Sequence, residues 1–404
     1  MLGSKFETVS QAWRFTDLFS RSQKASGDTI NTFRNGLAEL LGGDSKQAIF
    51  FKSARSALLS ILTTLDDENK RVVMLCALNC SVVSDAVLAC GLEPLYYDLA
   101  DSTGRIDCEA LAFSIPDNCC AVVIPHLYGL PAASGQDIDL IRAKGVTVVE
   151  DCAHTLGATV GGKIVGTMGD YSIFSFNHDK PISLGGGGML WVNSSVPKGV
   201  VDPQKNQIFL LSSASEILEL FWFKVFLLVR RVGGVMPPRI GSKLLRVFNV
   251  LSRILRISDG GSGFPVSGIG AIRAKLGCIQ LKKLNHTVSK RNDKSSHLIN
   301  KIGLPVWSGV SSKHTATWLR LRLRLPSQEK ADRCSKIFRK HGLRVGRFNW
   351  PDLPTELNER DFPHAFLWAK CGVDVPLHEV LSATDLDRMI VEFNALGELS
   401  ECNV

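Results

Sequence analysis

An apolar run, Val148-Val149, passes straight into Glu150-Asp151, which places the Asp151 carboxylate at the carboxyl end of a strand. A carboxylate there can pair with a protonated pyridine nitrogen and keep such a ring electron-withdrawing. It can equally cap the helix that follows the strand. A second strand candidate, Tyr171 to Phe176, ends in Asn177-His178-Asp179-Lys180-Pro181. A lysine after a strand is ordinarily a solvated loop residue. Lys180, however, sits between an aromatic-flanked strand and four consecutive glycines, Gly185 to Gly188, whose missing side chains let the backbone approach another surface closely. A partly desolvated lysine is a competent amine for imine formation.

The elements around these residues alternate. Ala48-Ile49-Phe50-Phe51 precedes a helix candidate from Ser56 to Leu62. The strand candidates Arg71 to Leu75, Ala121 to Pro125 and Val146 to Glu150 follow, with helices over Val82 to Cys90 and Ile138 to Lys144 between them. Short apolar strands alternating with helices predict crossover units and a largely parallel sheet buried on both faces. Ligands gather at the carboxyl ends of strands in such sheets. After a strand at Met189 to Val192 the pattern changes. A Gly/Ser-rich break at Asp259 to Gly263 leads to a helix around Ala274 to Val288. A strand at Trp318 to Leu323 and helices at Gln328 to His341 and Ser382 to Ala395 then predict a smaller α+β domain. The expected division is an N-terminal arm (1–30), a large α/β domain (31–195), a basic hydrophobic helical insertion (196–262) and a small C-terminal domain (263–404).

The window Val148 to Asn193 resembles the signature of the DegT/DnrJ/EryC1/StrS family, the sugar aminotransferases of the fold type I pyridoxal-phosphate superfamily. In that family a strand ends in Asp-x-Ala-Gln/His. Gly-x-x-Gly-Asp, Ser-Phe-x-x-x-Lys and a Gly-Glu-Gly-Gly turn follow. This chain reads Asp151-Cys152-Ala153-His154, Gly166-Thr167-Met168-Gly169-Asp170, Ser175-Phe176-Asn177-His178-Asp179-Lys180 and Gly185-Gly186-Gly187-Gly188. Pro125 to Pro131, Ala274 to Leu284 and Val375 to Ser382 resemble further family segments, leaving residues 1–25 and 195–262 outside the likeness.

The resemblance implies an α/β fold of type I with a mixed seven-stranded sheet and a small C-terminal α+β domain. It also implies pyridoxal 5'-phosphate as cofactor and a homodimer with active sites at the subunit interface. Residue by residue, Lys180 would hold the cofactor as a Schiff base and move the proton between substrate carbon and cofactor. Asp151 would hold the ring nitrogen, and His154 would lie near the phenolic oxygen; His154 also fits a hydrogen-bonded core histidine. Ser175 would donate to the phosphate. Ser53-Ala54-Arg55-Ser56-Ala57, matching the family's Ser-Gly-Thr-Ala-Ala, would open a helix whose amides bind that phosphate. The implied reaction is transfer of an amino group, from glutamate, to a nucleotide-linked keto sugar in polysaccharide, glycolipid or antibiotic sugar synthesis. Three rivals stand beside it: a sugar dehydratase, against which Lys180 argues; amination of a lipid-linked carbonyl at a membrane; and a non-catalytic scaffold.

Four positions depart from the pattern. Ala54-Arg55 stands where the family has Gly-Thr, so Arg55 either adds a cation to the phosphate or points into solvent. Cys80 occupies the place of the aromatic that stacks on the ring. Val266-Ser267-Gly268 replaces the Asn-x-Arg segment that reaches the partner's phosphate, and Gly186 replaces the turn's Glu.

The chain has 404 residues, 45% of them hydrophobic and 21% charged, which fits a large globular domain plus a smaller one rather than a disordered or fibrous chain. Its 11 cysteines make no repeated Cys-x-x-Cys frame with nearby histidines, so they read as buried hydrophobes of a reducing cytoplasm, with no metal site. Met1 to Phe15 holds no apolar core of a signal peptide, which points to a protein kept in the cell. Between 208 and 257, eight cations (Lys224, Arg230, Arg231, Arg239, Lys243, Arg246, Arg253, Arg256) face Glu216 and Glu219, a surplus of +6 out of the chain's +8. Two basic amphipathic helices joined at Gly233 to Pro238 would suit either a membrane surface or packing on the enzyme itself. The apolar run Ile217 to Val229 is broken by Glu219 and Lys224 and is too short to span a bilayer. No nucleic-acid motif accompanies the charge.

Overall fold

The computed structural model describes residues 27–65, 68–177, 180–194, 200, 202, 216–222, 224–225, 268–310, 313–340, 343, 345, 353–378 and 381–398. The expected N-terminal arm up to residue 26, most of the basic insertion with its Gly233 to Pro238 joint, and Val266-Ser267 lie outside them.

A seven-stranded sheet organises the chain in the order β1 (Ala48–Phe51), β9 (Gly188–Val192), β8 (Tyr171–Ser175), β5 (Thr147–Asp151), β4 (Cys119–Pro125), β2 (Val72–Cys76), β3 (Glu93–Tyr97). Strands β8, β5, β4, β2 and β3 run parallel to one another, while β9 is antiparallel to both β8 and β1. The sheet is therefore mixed, as expected.

Successive side chains of a strand point to opposite faces. Val72, Met74 and Cys76 accordingly join one apolar cluster with Phe33 of α1 (Gly27–Leu41), Leu111 of α4 (Cys108–Ser114) and Ile138 of α5 (Gly135–Arg142). Val73 and Leu75 join a second with Leu58 of α2 (Ala54–Leu62) and Val87 of α3 (Ser81–Ala89). Covering both faces removes water from the strands and leaves their carboxyl ends as the open edge.

Three sequence expectations shift. Strand β3 has no apolar run to predict it: its exposure alternates, and Pro94 and Glu93 mark an edge rather than a buried strand. The helix expected over Ala274 to Val288 is two helices, α6 (Ala271–Leu281) and α7 (Leu284–Ile299). The Lys283 N–H bonds the Gln280 carbonyl three residues back and tightens the chain between them. The strand expected from Trp318 starts at Arg320, because Trp318 has φ 42° and cannot extend a strand.

Beyond the sheet, β6 (Thr159–Val160) pairs antiparallel with β7 (Lys163–Ile164) and β10 (His314–Thr315), and β11 (Arg320–Arg324) pairs antiparallel with β12 (Gly372–Pro376). Side chains of α8 (Gln328–Lys340) and α10 (Ala383–Glu398) complete a separate apolar cluster with them. Ile272, Ala274 and Leu276 of α6 belong instead to the large sheet's cluster, and α9 (Pro363–Cys371) sends Trp368 to the same place.

Candidate active site

Asp151 is the last residue of β5, paired between Pro125 of β4 and Ile173 of β8, and it is 8% exposed. Its Oδ1 accepts the Ala153 N–H at 3.0 Å, the short turn expected of a carboxylate at a strand's end. Burial raises its pKa, while the Ala153 N–H and the charge of Lys180 work the other way. The two residues singled out by the sequence thus share one place, and the lysine's charge acts on the aspartate.

His154 joins them. Its Nε2 lies 2.8 Å from Lys180 Nζ, and its Nδ1 accepts the Tyr128 N–H at 3.2 Å. A backbone N–H can only donate, so in the neutral imidazole the ring proton sits on Nε2 and faces the lysine nitrogen. Toward Lys180 as the neutral amine the imidazole is a donor rather than a second base; toward the ammonium, which can only donate, it offers no acceptor. Tyr128 reaches this position with φ 59°, ψ 7° and its side chain fully buried, edge-on to Trp307 at 5.1 Å and beneath the Arg322 guanidinium at 5.1 Å. Non-glycine residues take this backbone region rarely and keep it where packing over-determines them. Thr317 adds a brace, its hydroxyl donating to the His154 carbonyl at 3.0 Å.

The support beneath was not assigned from sequence. Glu150, fully buried, accepts the N–H groups of Met168 (2.8 Å), Gly169 (2.6 Å) and Gly166 (2.9 Å) and faces His126 Nε2 at 3.1 Å. His126 Nδ1 takes the Ala132 N–H at 2.9 Å, so its Nε2 donates to Glu150. Asp170 completes the Gly-x-x-Gly-Asp turn, accepting the Val148 N–H at 2.8 Å and Arg142 Nε at 3.2 Å. His126, Glu150 and Cys152 hold potential metal-ligand atoms within 4.8 Å of one another. The carboxylate and both imidazole nitrogens are nevertheless spent on protein partners, and the cluster acts as a knot that fixes β5 to the turn. Glu150's adjacency to Asp151 was the available signal.

The other end of the site is built by the glycines. Ser175 closes β8 opposite Gly188. A Cβ on Gly188 would collide with the Ala54 nitrogen and the Ser53 carbonyl carbon. Gly187 bridges Ser53, and its N–H donates to the Lys52 carbonyl at 2.8 Å. Gly185, Gly186 and Gly187 have φ of 70°, 142° and 102°, conformations in which side chains are strained. The expected close approach is thus onto the first turn of α2, where Ser53 is the N-cap and Ala54 and the half-buried Arg55 are the first two helical residues. Ser175, Ala54 and Arg55 come to one end of the site, and Lys180, Asp151 and His154 to the other. Cys80, the N-cap of α3 after β2, lies two strands from β5 on the same open edge. The ten described cysteines are free thiols, eight of them buried.

Comparison with known proteins agrees with this geometry. Residues 8–198 match the model of the DegT/DnrJ/EryC1/StrS aminotransferase family. A GDP-perosamine synthase of Escherichia coli O157:H7 is 30% identical over 193 residues, 48% of this chain and 51% of that protein. A dTDP-4-dehydro-2,3,6-trideoxy-D-glucose 4-aminotransferase of Saccharopolyspora spinosa is 28% identical over 175 residues, 43% of this chain and 46% of that protein. These matches span about half the length of the curated relatives. In three dimensions the likeness runs further. The crystal structure of the aminotransferase TlmJ from Streptoalloteichus hindustanus superposes with a TM-score of 0.70 at 20% identity, over 96% of this chain and 98% of that chain. The fold is that of type I aminotransferases. The family match runs from 8 to 198, so residues 8–25, expected outside the likeness, lie within it, and the likenesses at 274–284 and 375–382 lie beyond it.

Proposed function

We propose, from the match of residues 8–198 to the DegT/DnrJ/EryC1/StrS aminotransferase family, that the chain is a pyridoxal-phosphate-dependent aminotransferase. Its acceptor is a nucleotide-linked keto sugar and its donor is glutamate. The observation that carries this reading is the meeting of Lys180, His154 and Asp151 at the carboxyl ends of β5 and β8, with Nζ and Nε2 2.8 Å apart.

The residues fit the cofactor. The carboxylate of Asp151 suits a cationic ring nitrogen, and the first turn of α2, pressed by Gly188, presents amides to a phosphate. At the same edge the buried Nδ2 of Asn79 finds no acceptor among the described residues, a donor that a polar ligand would satisfy. When bound, the cofactor supplies an electron sink for the carbon that loses its proton. Lys180 would hold the cofactor's aldehyde carbon and, once released, take and return the proton at the substrate carbon through Nζ. His154 orients that nitrogen with its Nε2 proton. Asp151, kept from water, would favour a protonated ring nitrogen. Ser175 and the amides of Ala54 and Arg55 would carry the phosphate.

The nucleotide-sugar acceptor is supported by the relatives' names, GDP-perosamine synthase and the dTDP-sugar 4-aminotransferase. A homodimer, a cytoplasmic location and a role in polysaccharide, glycolipid or antibiotic sugar synthesis are proposed with it. Among the described residues no helix is long and apolar enough to cross a membrane. A membrane-surface contact of the basic block rests on its charge, and Arg246→Gln, Arg253→Gln and Arg256→Gln together should abolish vesicle flotation if it exists. In the described part of that block, 216–222 and 224–225, Leu220 and Glu216 are buried while Leu218 and Phe221 are exposed.

The purified protein with pyridoxal phosphate should show a visible absorbance band that converts to the pyridoxamine form on adding glutamate. Absence of the band would support the scaffold reading instead, and a band indifferent to glutamate the dehydratase or another donor.

A further inference from the structure

The basic block 208–257 contains two acids, Glu216 and Glu219, and both are used in one place. The helix over 216–222 abuts the N-terminus of α6. Glu216, 1% exposed, accepts the N–H groups of Ile272 at 2.9 Å and Arg273 at 3.1 Å. It thereby caps a helix whose own N-cap, Gly270, makes no side-chain cap bond. A Cβ on Gly270 would collide with that carboxylate, so the close approach needs glycine there. Arg273 closes the arrangement: its Nη2 meets Glu219 Oε2 at 2.8 Å, and its Nη1 is 3.6 Å from Glu216 Oε1. Lys52 Nζ stands 4.0 Å from the other Glu219 oxygen.

This cluster leans on the glycine turn. A Cβ built on Gly186 would come within 3.7 Å of Arg273 Nη2 and 3.8 Å of its Nε, and that Nε finds no acceptor among the described residues. Gly186 stands where the resembling turn carries a glutamate. The next glycine bonds the Lys52 carbonyl, and Gly188 presses on Ala54. Lys52 therefore ties the block's carboxylate to the glycine turn just before the N-cap of α2, and the Arg273 guanidinium borders the space where a Gly186 side chain would stand.

We propose that the helix over 216–222 is a clamp for the phosphate end of the cofactor site, with Glu216 and Glu219 holding Arg273 over Gly186 so that the glycine turn and the first turn of α2 keep a phosphate-binding arrangement. The proposal rests on the cofactor reading above. Glu216, Glu219 and Arg273 are positioning residues that act through the turn. The carboxylates missing from the turn itself come from the inserted block, which assigns that block's first helix a role in cofactor retention.

The full-length protein is titrated with pyridoxal phosphate and read by the absorbance of bound cofactor. Glu219→Gln and Arg273→Gln are each expected to raise the cofactor Kd by on the order of tenfold, as loss of a hydrogen bond between charged groups does. The double variant should be no worse than either single one, because the pair acts as a unit. Hydrogen exchange of the wild type supplies a test that needs no variant: cofactor loading should protect residues 185–188 and 216–222 together. Single variants that bind as tightly as wild type, additive losses in the double variant, or exchange at 216–222 indifferent to loading would each overturn the clamp while leaving the cofactor reading intact. A wild type without bound-cofactor absorbance would overturn both.

Discussion

The Nε2 of His154 lies 2.8 Å from Nζ of Lys180, and the Tyr128 N–H on Nδ1 makes it a donor toward that nitrogen once the nitrogen is neutral. The residue therefore matters for the proton it presents. His154→Gln keeps an N–H donor and should lose less than about tenfold in amino transfer, whereas His154→Leu should lose about a hundredfold or more, within the range of proton-transfer assistance. Single-turnover rates read from the cofactor's spectral change check the order. Equal losses in the two variants would remove the donor role.

Lys180→Ala removes the amine that would hold the cofactor. Cofactor should then leave on dialysis, and transfer should fall by at least about ten-thousandfold, the loss of both the covalent hold and the proton carrier. Retention of an unchanged visible band would contradict the assignment.

Asp151 predicts a trade of stability against binding. Its folded pKa is raised, chiefly by burial. Below the ordinary carboxylate range both folded and unfolded forms are protonated and no penalty exists. As pH rises through the interval up to the raised folded value, ionising the buried group costs stability. Without cofactor, Asp151→Asn should match the wild type in acid and melt higher at neutral pH, yet bind cofactor more weakly. Thermal unfolding across pH, with and without pyridoxal phosphate, separates the two effects.

Glu150 has the opposite sign. Burial disfavours its charge, but His126 and the N–H groups of Gly169 and Gly166 outweigh that and hold its pKa below the usual range. Its contribution is thus present above the ordinary carboxylate pKa and is lost as pH falls through the lowered folded value. Glu150→Ala should cost about 3–5 kcal/mol, the loss of one member of a buried charged network. Urea unfolding at neutral pH measures it.

The glycines are separable. Gly188→Ala puts a Cβ into the backbone of Ser53 and Ala54, where nothing flexible can yield. Gly186→Ala meets only the end of the Arg273 side chain, at 3.7 Å, so its cost is that of a side chain at φ 142°. The first should abolish cofactor binding. The second should cost about 1–3 kcal/mol of stability and leave binding measurable. Absorbance titration and melting of both variants test the contrast.

The amino-acid sequence by itself determined the parallel core of the sheet, the placing of Asp151 and Lys180 at strand ends, and the need for bare backbone at 185–188. Each is local: apolar runs of strand length, a carboxylate where a run stops, and consecutive residues lacking a Cβ. The family likeness joined them into one site. Folding alone decided what no spacing encodes. The tautomer of His154 depends on an amide 26 positions earlier, held in a left-handed turn by Trp307 and Arg322. Glu150 looked like a neighbour of Asp151, but alternation along β5 sends its carboxylate to His126 and the 166–169 turn. Glu216 and Glu219 read as two stray acids in a basic block until α6, more than fifty residues on, brought Arg273 to them. Such contacts join residues distant along the chain, and their energy exists only once the intervening loops have closed.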